Sequence, residues 1–262
     1  GSMHRAGMIH RDLHCGNILV RTNADAPSLV LMDLHRAYRH RRLSRRRKAA
    51  NLAQLFHDRY DFTTRTERLR FLKHYIAASG SNGSVRGWMF MIDLFARRHT
   101  RRQHAQRDRR TEGDNRYFAS LTLPGGWRGN VVLASKRHLG GSKAAQMVFE
   151  KEDWLTALRH VESLFTGEDV NVVKETKSSV IIRRRLLIGS KKVDVFIKRP
   201  GQKIRKILID CFRLSRPMRA FRFGHALLTR RIATALPLAA FERRRGPFLR
   251  DSILITEAVS AP

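Results

Sequence analysis

His10-Arg11-Asp12-Leu13-His14-Cys15-Gly16-Asn17 decides how the chain is read. It has the form H-R-D-L-x-x-x-N. In phosphoryl transfer an Asp must accept or orient the attacking hydroxyl proton beside a γ-phosphate, and an Asn five residues on can turn back to a magnesium ion. Met8-Ile9 precede the stretch and Ile18-Leu19-Val20 follow it, so it reads as a polar loop between two strands. Asp12 is the expected base, with Arg11 beside it, and Asn17 is an expected magnesium ligand.

A turn at Asn23 to Pro27 leads into Ser28-Leu29-Val30-Leu31-Met32, a short apolar run suited to a strand. Asp33 closes that run. A strand-end Asp is often only a turn or cap residue. Following His10–Asn17, it reads instead as the second magnesium ligand. Leu34-His35 stand where Phe-Gly is usual. Leu52, Leu55 and Phe56, then Leu69, Leu72 and Ile76, recur at helical spacing. Arg97 to Arg110, dense in Arg, reads as a solvated helix end or a linker.

Residues 111–146, with Pro124-Gly125-Gly126 and Gly140-Gly141, read as a loop-rich linker. Trp154, Leu155, Leu158, Val161, Leu164 and Phe165 then space out one helix face. Beyond Val170 the period changes. Val180-Ile181-Ile182 and Leu186-Leu187-Ile188 are strands, Gly189-Ser190-Lys191-Lys192 is a hairpin signal, and Val193, Val195 and Ile197 alternate with polar or half-exposed positions. Phe221, His225, Leu228 and Ile232 mark a helix, and Leu236–Phe241 and Ser252–Thr256 are two more strand candidates. Val195-Phe196-Ile197-Lys198 has the shape of V-A-I-K, where the Lys grips the α- and β-phosphates of ATP. Phe196 is bulkier than the usual Ala and is expected to crowd an adenine. No Asp or Glu occurs from Cys211 to Phe241, so the helix has no acidic partner for Lys198.

Composition narrows the setting. Of 262 residues, 53 are Lys or Arg and 22 Asp or Glu, a net charge of +31 that attracts anions without choosing among them. The two cysteines, Cys15 and Cys211, are far apart, and no zinc spacing appears, which points to a reducing compartment. No apolar run approaches the roughly 18 residues of a membrane span, and no signal peptide is visible.

These residues resemble a known family. His10 to Val20, Leu31-Met32-Asp33-Leu34-His35-Arg36-Ala37 and Asn51-Leu52 are similar to the C-lobe of the lipopolysaccharide core kinases, which include Kdo and heptose kinases. Val173 to Val180, Val195 to Pro200, Ser215 to Leu228 and Ile232 to Arg244 are similar to that family's N-lobe. The resemblance implies an α+β, protein-kinase-like fold, ATP and Mg2+ as cofactors, and a sugar of the lipopolysaccharide core or lipid A precursor as acceptor. It implies that Lys174, Ser178 and Ser179 lie in a turn over the nucleotide phosphates, and that Glu257 and Val259 belong to the hinge that meets adenine. The expected setting is cytoplasmic, peripheral at an anionic inner-membrane surface.

The lobe order is inverted. C-lobe elements (1–100) precede N-lobe elements (150–262), giving expected domains of 1–110 and 147–262 joined by 111–146. A chain holding parts of two tandem kinase domains is the favoured expectation, because the chain starts and stops inside elements the fold needs. A permuted single kinase is the alternative. Two other readings remain: an inactive pseudokinase or scaffold, and a basic nucleic-acid-binding protein. The basic clusters lack the interleaved aromatics that stack bases, so no specific nucleic acid is expected.

Overall fold

A computed structural model describes residues 1–22, 28–57, 62–134, 148–201, 211 and 213–259. The expected turn at 23–27 and the Gly140-Gly141 pair lie outside them. The chain divides into two compact units, residues 1–103 and 104–262.

The first unit opens with a short helix α1 (Ser2–Arg5) and two small antiparallel pairs. Strand β1 (Met8–His10) pairs with β4 (Ala37–Arg39), and β2 (Ile18–Arg21) pairs with β3 (Ser28–Leu31), with Ile18 opposite Leu31. Helices α2 (Arg45–His57), α3 (Arg65–Ser79) and α4 (Val85–Arg109, of which residues 104–109 belong to the second unit) follow. Thr64 and Glu67 form a capping box at the start of α3, and Gly80 ends it in the left-handed region. Ala49, Leu52, Ala53, Phe56, Leu72, Tyr75, Trp88, Ile92 and Ala96 make the core. The Arg-rich stretch after Ala96 is the outer half of α4, a helix continued beyond the point where its apolar stripe stops.

The second unit is built on a seven-stranded antiparallel sheet. Its strands are β5 (Phe118–Leu123), β6 (Trp127–Val132), β7 (Asn171–Thr176), β8 (Ser179–Ile188), β9 (Lys191–Pro200), β10 (Pro237–Arg245) and β11 (Phe248–Glu257). Their spatial order is β5-β6-β10-β11-β9-β8-β7. Register places Phe118, Val132, Ala240, Leu254 and Lys198 on one face, and Ala119, Val131, Ala239, Ile255, Ile197 and Ile182 on the other. Helix α6 (Arg216–Thr229) buries Met218 and Phe221 against the first face. Trp154 of α5 (Lys151–Ala157), with Leu158, Val161 and Leu164, fills the second. Beyond the sheet, Arg230 grips both carboxylate oxygens of Asp108 at 3.0 and 2.9 Å, and Arg222 reaches Glu112 at 2.9 Å.

Three expectations change. The described part of 111–146 is not a linker: β5 and β6 form a hairpin on the β10 edge, with Leu121, Leu123, Trp127 and Val131 in the core. Pro124-Gly125-Gly126 is its tight turn, with both glycines at φ +78°. The boundary therefore falls at 103/104, not within 111–146. The apolar face from Trp154 to Phe165 is not one helix but a seven-residue helix and a separate 3-10 turn at Val161–Phe165. Finally, α6 stops at Thr229, short of Ile232.

Candidate active site

In the first unit the loop His10–Asn17 is held from beneath. His10 is fully buried. Its Nε2–H is shared between the Met32 and Asp33 carbonyls at 3.1 and 3.0 Å, which leaves Nδ1 to accept the Asp12 N–H at 3.3 Å. One ring therefore ties the loop to the end of β3. Asn51 on α2 completes the clamp. Its Oδ1 accepts from the His10 N–H and from His4 Nε2, and its Nδ2 donates to the His10 carbonyl at 2.6 Å and to Gln54 Oε1. Gln54 in turn donates to the Arg11 carbonyl. Tyr75 donates its hydroxyl to His4 Nδ1 at 2.6 Å; burial pushes that hydroxyl up to about 12 and lowers His4 below its ordinary value.

The side chains above this frame remain accessible. Asp12 is half exposed, with Arg36 3.8 Å from its carboxylate. Arg11 stacks on Tyr38, 3.9 Å from the ring centroid. Asn17 donates Nδ2 to the Asp12 carbonyl at 2.9 Å, so its amide oxygen is the end left for other partners. The Asn17 carbonyl accepts the Met32 N–H, which puts Asn17 and Asp33 at the same end of the β2–β3 pair. Asp33 sits at φ 60°, ψ 44°, a left-handed conformation an Asp tolerates, and its carboxylate meets exposed His35 at 2.8 Å.

Among the described residues no group of three or more His, Cys, Asp and Glu is gathered to hold a metal. Asn17 and Asp33 still fit magnesium. Both offer hard oxygens, and Mg2+ is commonly held by one or two protein groups with the rest from substrate phosphates and water. The weak, solvent-screened His35 contact is easily exchanged.

In the second unit a cavity of about 350 Å³ is lined by Ser178, Ser179, Lys198, Pro200, Gly201, Arg216, Pro217, Ala220 and Leu254. It brings together three of the expected nucleotide residues: Ser178, Ser179 and Lys198. The β7–β8 turn is pinned by Thr176, whose Oγ1 accepts the Ser178 and Ser179 N–H groups at 3.3 and 3.1 Å. The backbone N–H groups of that turn are thus engaged internally, and the Ser178 hydroxyl lies 3.2 Å from Thr176 Oγ1. Gly201 lies against the turn so closely that a Cβ there would meet the Lys177 carbonyl at 2.8 Å.

Lys198 is exposed and, among the described residues, has no acidic partner. Phe196, two residues earlier, faces the same side of the sheet under Arg183. Lys174 is in register with Ile181, which pairs with Lys198, but it does not line the cavity. Neither do Glu257 and Val259. The Glu257 N–H donates to the Leu236 carbonyl and the Ala258 N–H to the Asp194 carbonyl, both at 2.9 Å, while exposed Val259 lies just past the strand.

Sequence reading missed Arg216 and Glu242. Ser215 caps α6 by accepting the Met218 N–H, and its own N–H donates to Glu242 Oε2 at 2.9 Å. Burial pushes the Glu242 carboxyl up, but donors from Arg244 and Ser215 outweigh it and hold it below the usual range. Glu242 thereby fixes the N-terminus of α6, and with it Arg216, at the cavity wall. Ser215-Arg216-Pro217 was the available signal, a cap followed by Pro in the first turn.

The loop with its clamped His10, accessible Asp12, and Asn17 and Asp33 at one strand end lies within residues 1–75, which match the model of the lipopolysaccharide kinase (Kdo/WaaP) family. The particular relative is the lipopolysaccharide core heptose(I) kinase WaaP of Pseudomonas aeruginosa, 39% identical over 80 residues. That stretch is 29% of this chain and 30% of the relative's length. No solved structure matches the chain. No helix among the described residues is long and apolar enough to cross a membrane.

Proposed function

We propose that the protein is an ATP- and Mg2+-dependent phosphotransferase acting on a sugar hydroxyl of the lipopolysaccharide core, a Kdo or heptose. The family match over residues 1–75 carries this reading. Asp12 takes the hydroxyl proton, and the His10–Asn51 clamp holds its backbone at a fixed height. Asn17 and Asp33 would hold the metal, which would neutralise charge on the transferring phosphoryl group. Lys198, Arg216 and the two serine hydroxyls suit nucleotide phosphates, with the α6 N-terminus adding a favourable dipole. The +31 charge suits a phosphorylated acceptor at an anionic inner-membrane surface on the cytoplasmic side.

The order of elements supports a finer reading. The catalytic loop precedes the Lys-bearing strand, the reverse of the usual run, so residues 1–103 are the C-lobe part of one kinase-like domain and 104–262 the N-lobe part of another. Asp12 and Lys198 then serve different active sites. The test of function is label transfer from γ-labelled ATP to core lipopolysaccharide by the complete protein. Transfer that Asp12→Asn abolishes supports the proposal. Because a second kinase-like domain would keep its own site, the readout is the position labelled: labelling unchanged by Asp12→Asn at every position removes it.

A further inference from the structure

The first unit contains a second concave region that the phosphotransferase reading does not use. It is an open basin of about 1120 Å³ lined by His4, Arg5, Ala6, Gly7, Arg39, His40, Arg41, Arg42, Leu43, Lys48, Ser79 and Gly80. Asp12, Asn17 and Asp33 do not line it. Five lining residues carry full positive charge and none is acidic; the sequence has no Asp or Glu from Leu34 to His57. Arg5, Arg39, Arg41 and Arg42 are exposed and form no ion pair among the described residues. Lys48 is held toward the basin by Ser81 at 3.1 Å.

Its floor is fixed. His4 is buried in the wall between Tyr75 and Asn51, and the His40 N–H donates to the Gly7 carbonyl at 2.8 Å, joining the two strand ends that form the rim. Gly7 takes φ +72°, and a Cβ there would meet the His40 carbonyl, so the rim closes only with glycine at that position. Converging uncompensated cations on a fixed concave wall focus potential and raise local anion concentration. Arginine forks match phosphate oxygens bidentately, as they do carboxylates, and five cations with no acidic neighbour favour the more highly charged phosphate groups. The volume exceeds what one free phosphate needs, and the lining has no Trp, Tyr or Phe to stack nucleic-acid bases.

We propose that this basin binds a ligand carrying phosphomonoester or pyrophosphate groups, through Arg5, Arg39, Arg41, Arg42 and Lys48, at a site separate from the catalytic loop. The inference stands on the basin alone and does not need the kinase reading. Such a ligand is either a soluble sugar phosphate or a lipid headgroup presenting the same chemistry.

The test measures binding by the full chain, not activity. Inorganic pyrophosphate is titrated calorimetrically into Lys198→Ala, which silences the other proposed phosphate site, and into the same chain carrying Arg41→Ala/Arg42→Ala or Arg101→Ala/Arg102→Ala, the last of which removes the same charge from the exposed face of α4. The basin variant is expected to lose roughly tenfold or more in affinity while the control changes less than about twofold. Native circular dichroism of both variants guards against unfolding, and Arg41→Lys/Arg42→Lys, which keeps charge but loses the fork, is expected to fall between. A parallel arm uses phosphatidylcholine vesicles with and without phosphatidic acid. Binding confined to the acidic vesicles and lost in the basin variant assigns the ligand to lipid headgroups; pyrophosphate binding lost in that variant assigns it to soluble phosphates. Equal losses in basin variant and control, no binding in either arm, or displacement by single-stranded oligonucleotide at lower concentration than pyrophosphate overturns the proposal.

Discussion

Replacing Asn51 with Ala is the sharpest way to test whether the catalytic loop is held by one buried amide. The side chain is almost fully buried and all of its hydrogen-bonding capacity is used, by His4, the His10 N–H and carbonyl, and Gln54. Truncation leaves three groups without partners in the interior: His4 Nε2–H and both His10 backbone groups. Gln54 reaches water. At about 1–3 kcal/mol for each orphaned buried group, with some water entering the space, the loss is roughly 3–5 kcal/mol. That is a large part of an ordinary domain stability of about 5–15 kcal/mol. Asn51→Asp keeps both accepting roles but sets a buried carboxylate oxygen against the His10 carbonyl, so it should cost at least as much. Native-state hydrogen exchange of α2 and α3 amides reads the effect in the first unit alone. A loss below about 1 kcal/mol for Asn51→Ala would refute the clamp.

Three further outcomes are expected. Asp12→Asn in the complete protein should lower labelling of the acceptor position that the Asp12 site serves by about 10²–10⁴-fold with nucleotide affinity nearly unchanged, and labelling that stays at half the wild-type rate or more at every position contradicts the base assignment. Glu242→Gln should weaken ATP binding without touching the cavity lining, because Arg216 loses its anchored helix end; unchanged binding in a titration would separate Glu242 from the site. His225 is fully packed between Phe118 and Phe221, and burial lowers its pKa from 6.5 to about 4. Its folded value lies below its unfolded one, so the unfolded state binds the extra proton, and the second unit loses roughly 3 kcal/mol as pH falls from 6.5 to about 4. Urea unfolding across that range should show the loss in wild type and a flatter profile in His225→Leu.

The local elements that carry the motif residues were legible because they are written in short spacings. His10–Asn17, the Asp33 strand end, and the Lys198 strand behind the Ser178–Ser179 turn all occupy the elements that their patterns imply. What escaped was set by distant packing. No local spacing marks Asn51 as a clamp, because His4 and His10, which close over it, lie 47 and 41 positions away. Residues 118–132 read as a loop because Pro124-Gly125-Gly126 dominates the pattern, while the edge of β10 that makes them strands lies more than 100 residues on. Glu242 and Arg216 are coupled through a helix cap between a strand and a helix, which no local period reports. The likeness to lipopolysaccharide kinases was legible in residues 1–75, where the motif is dense.

The claim that the catalytic loop and the Lys198 cavity serve different active sites is tested most directly by titrating Mg·ATP into the chain and its Lys198→Ala, Asp33→Ala and double variants. Two half-sites predict that Lys198→Ala weakens binding about tenfold or more, that Asp33→Ala leaves it unchanged, and that the double variant equals Lys198→Ala. If Asp33→Ala weakens the same binding event as strongly as Lys198→Ala, and the two effects are coupled, both residues hold one nucleotide and the chain is a single permuted kinase.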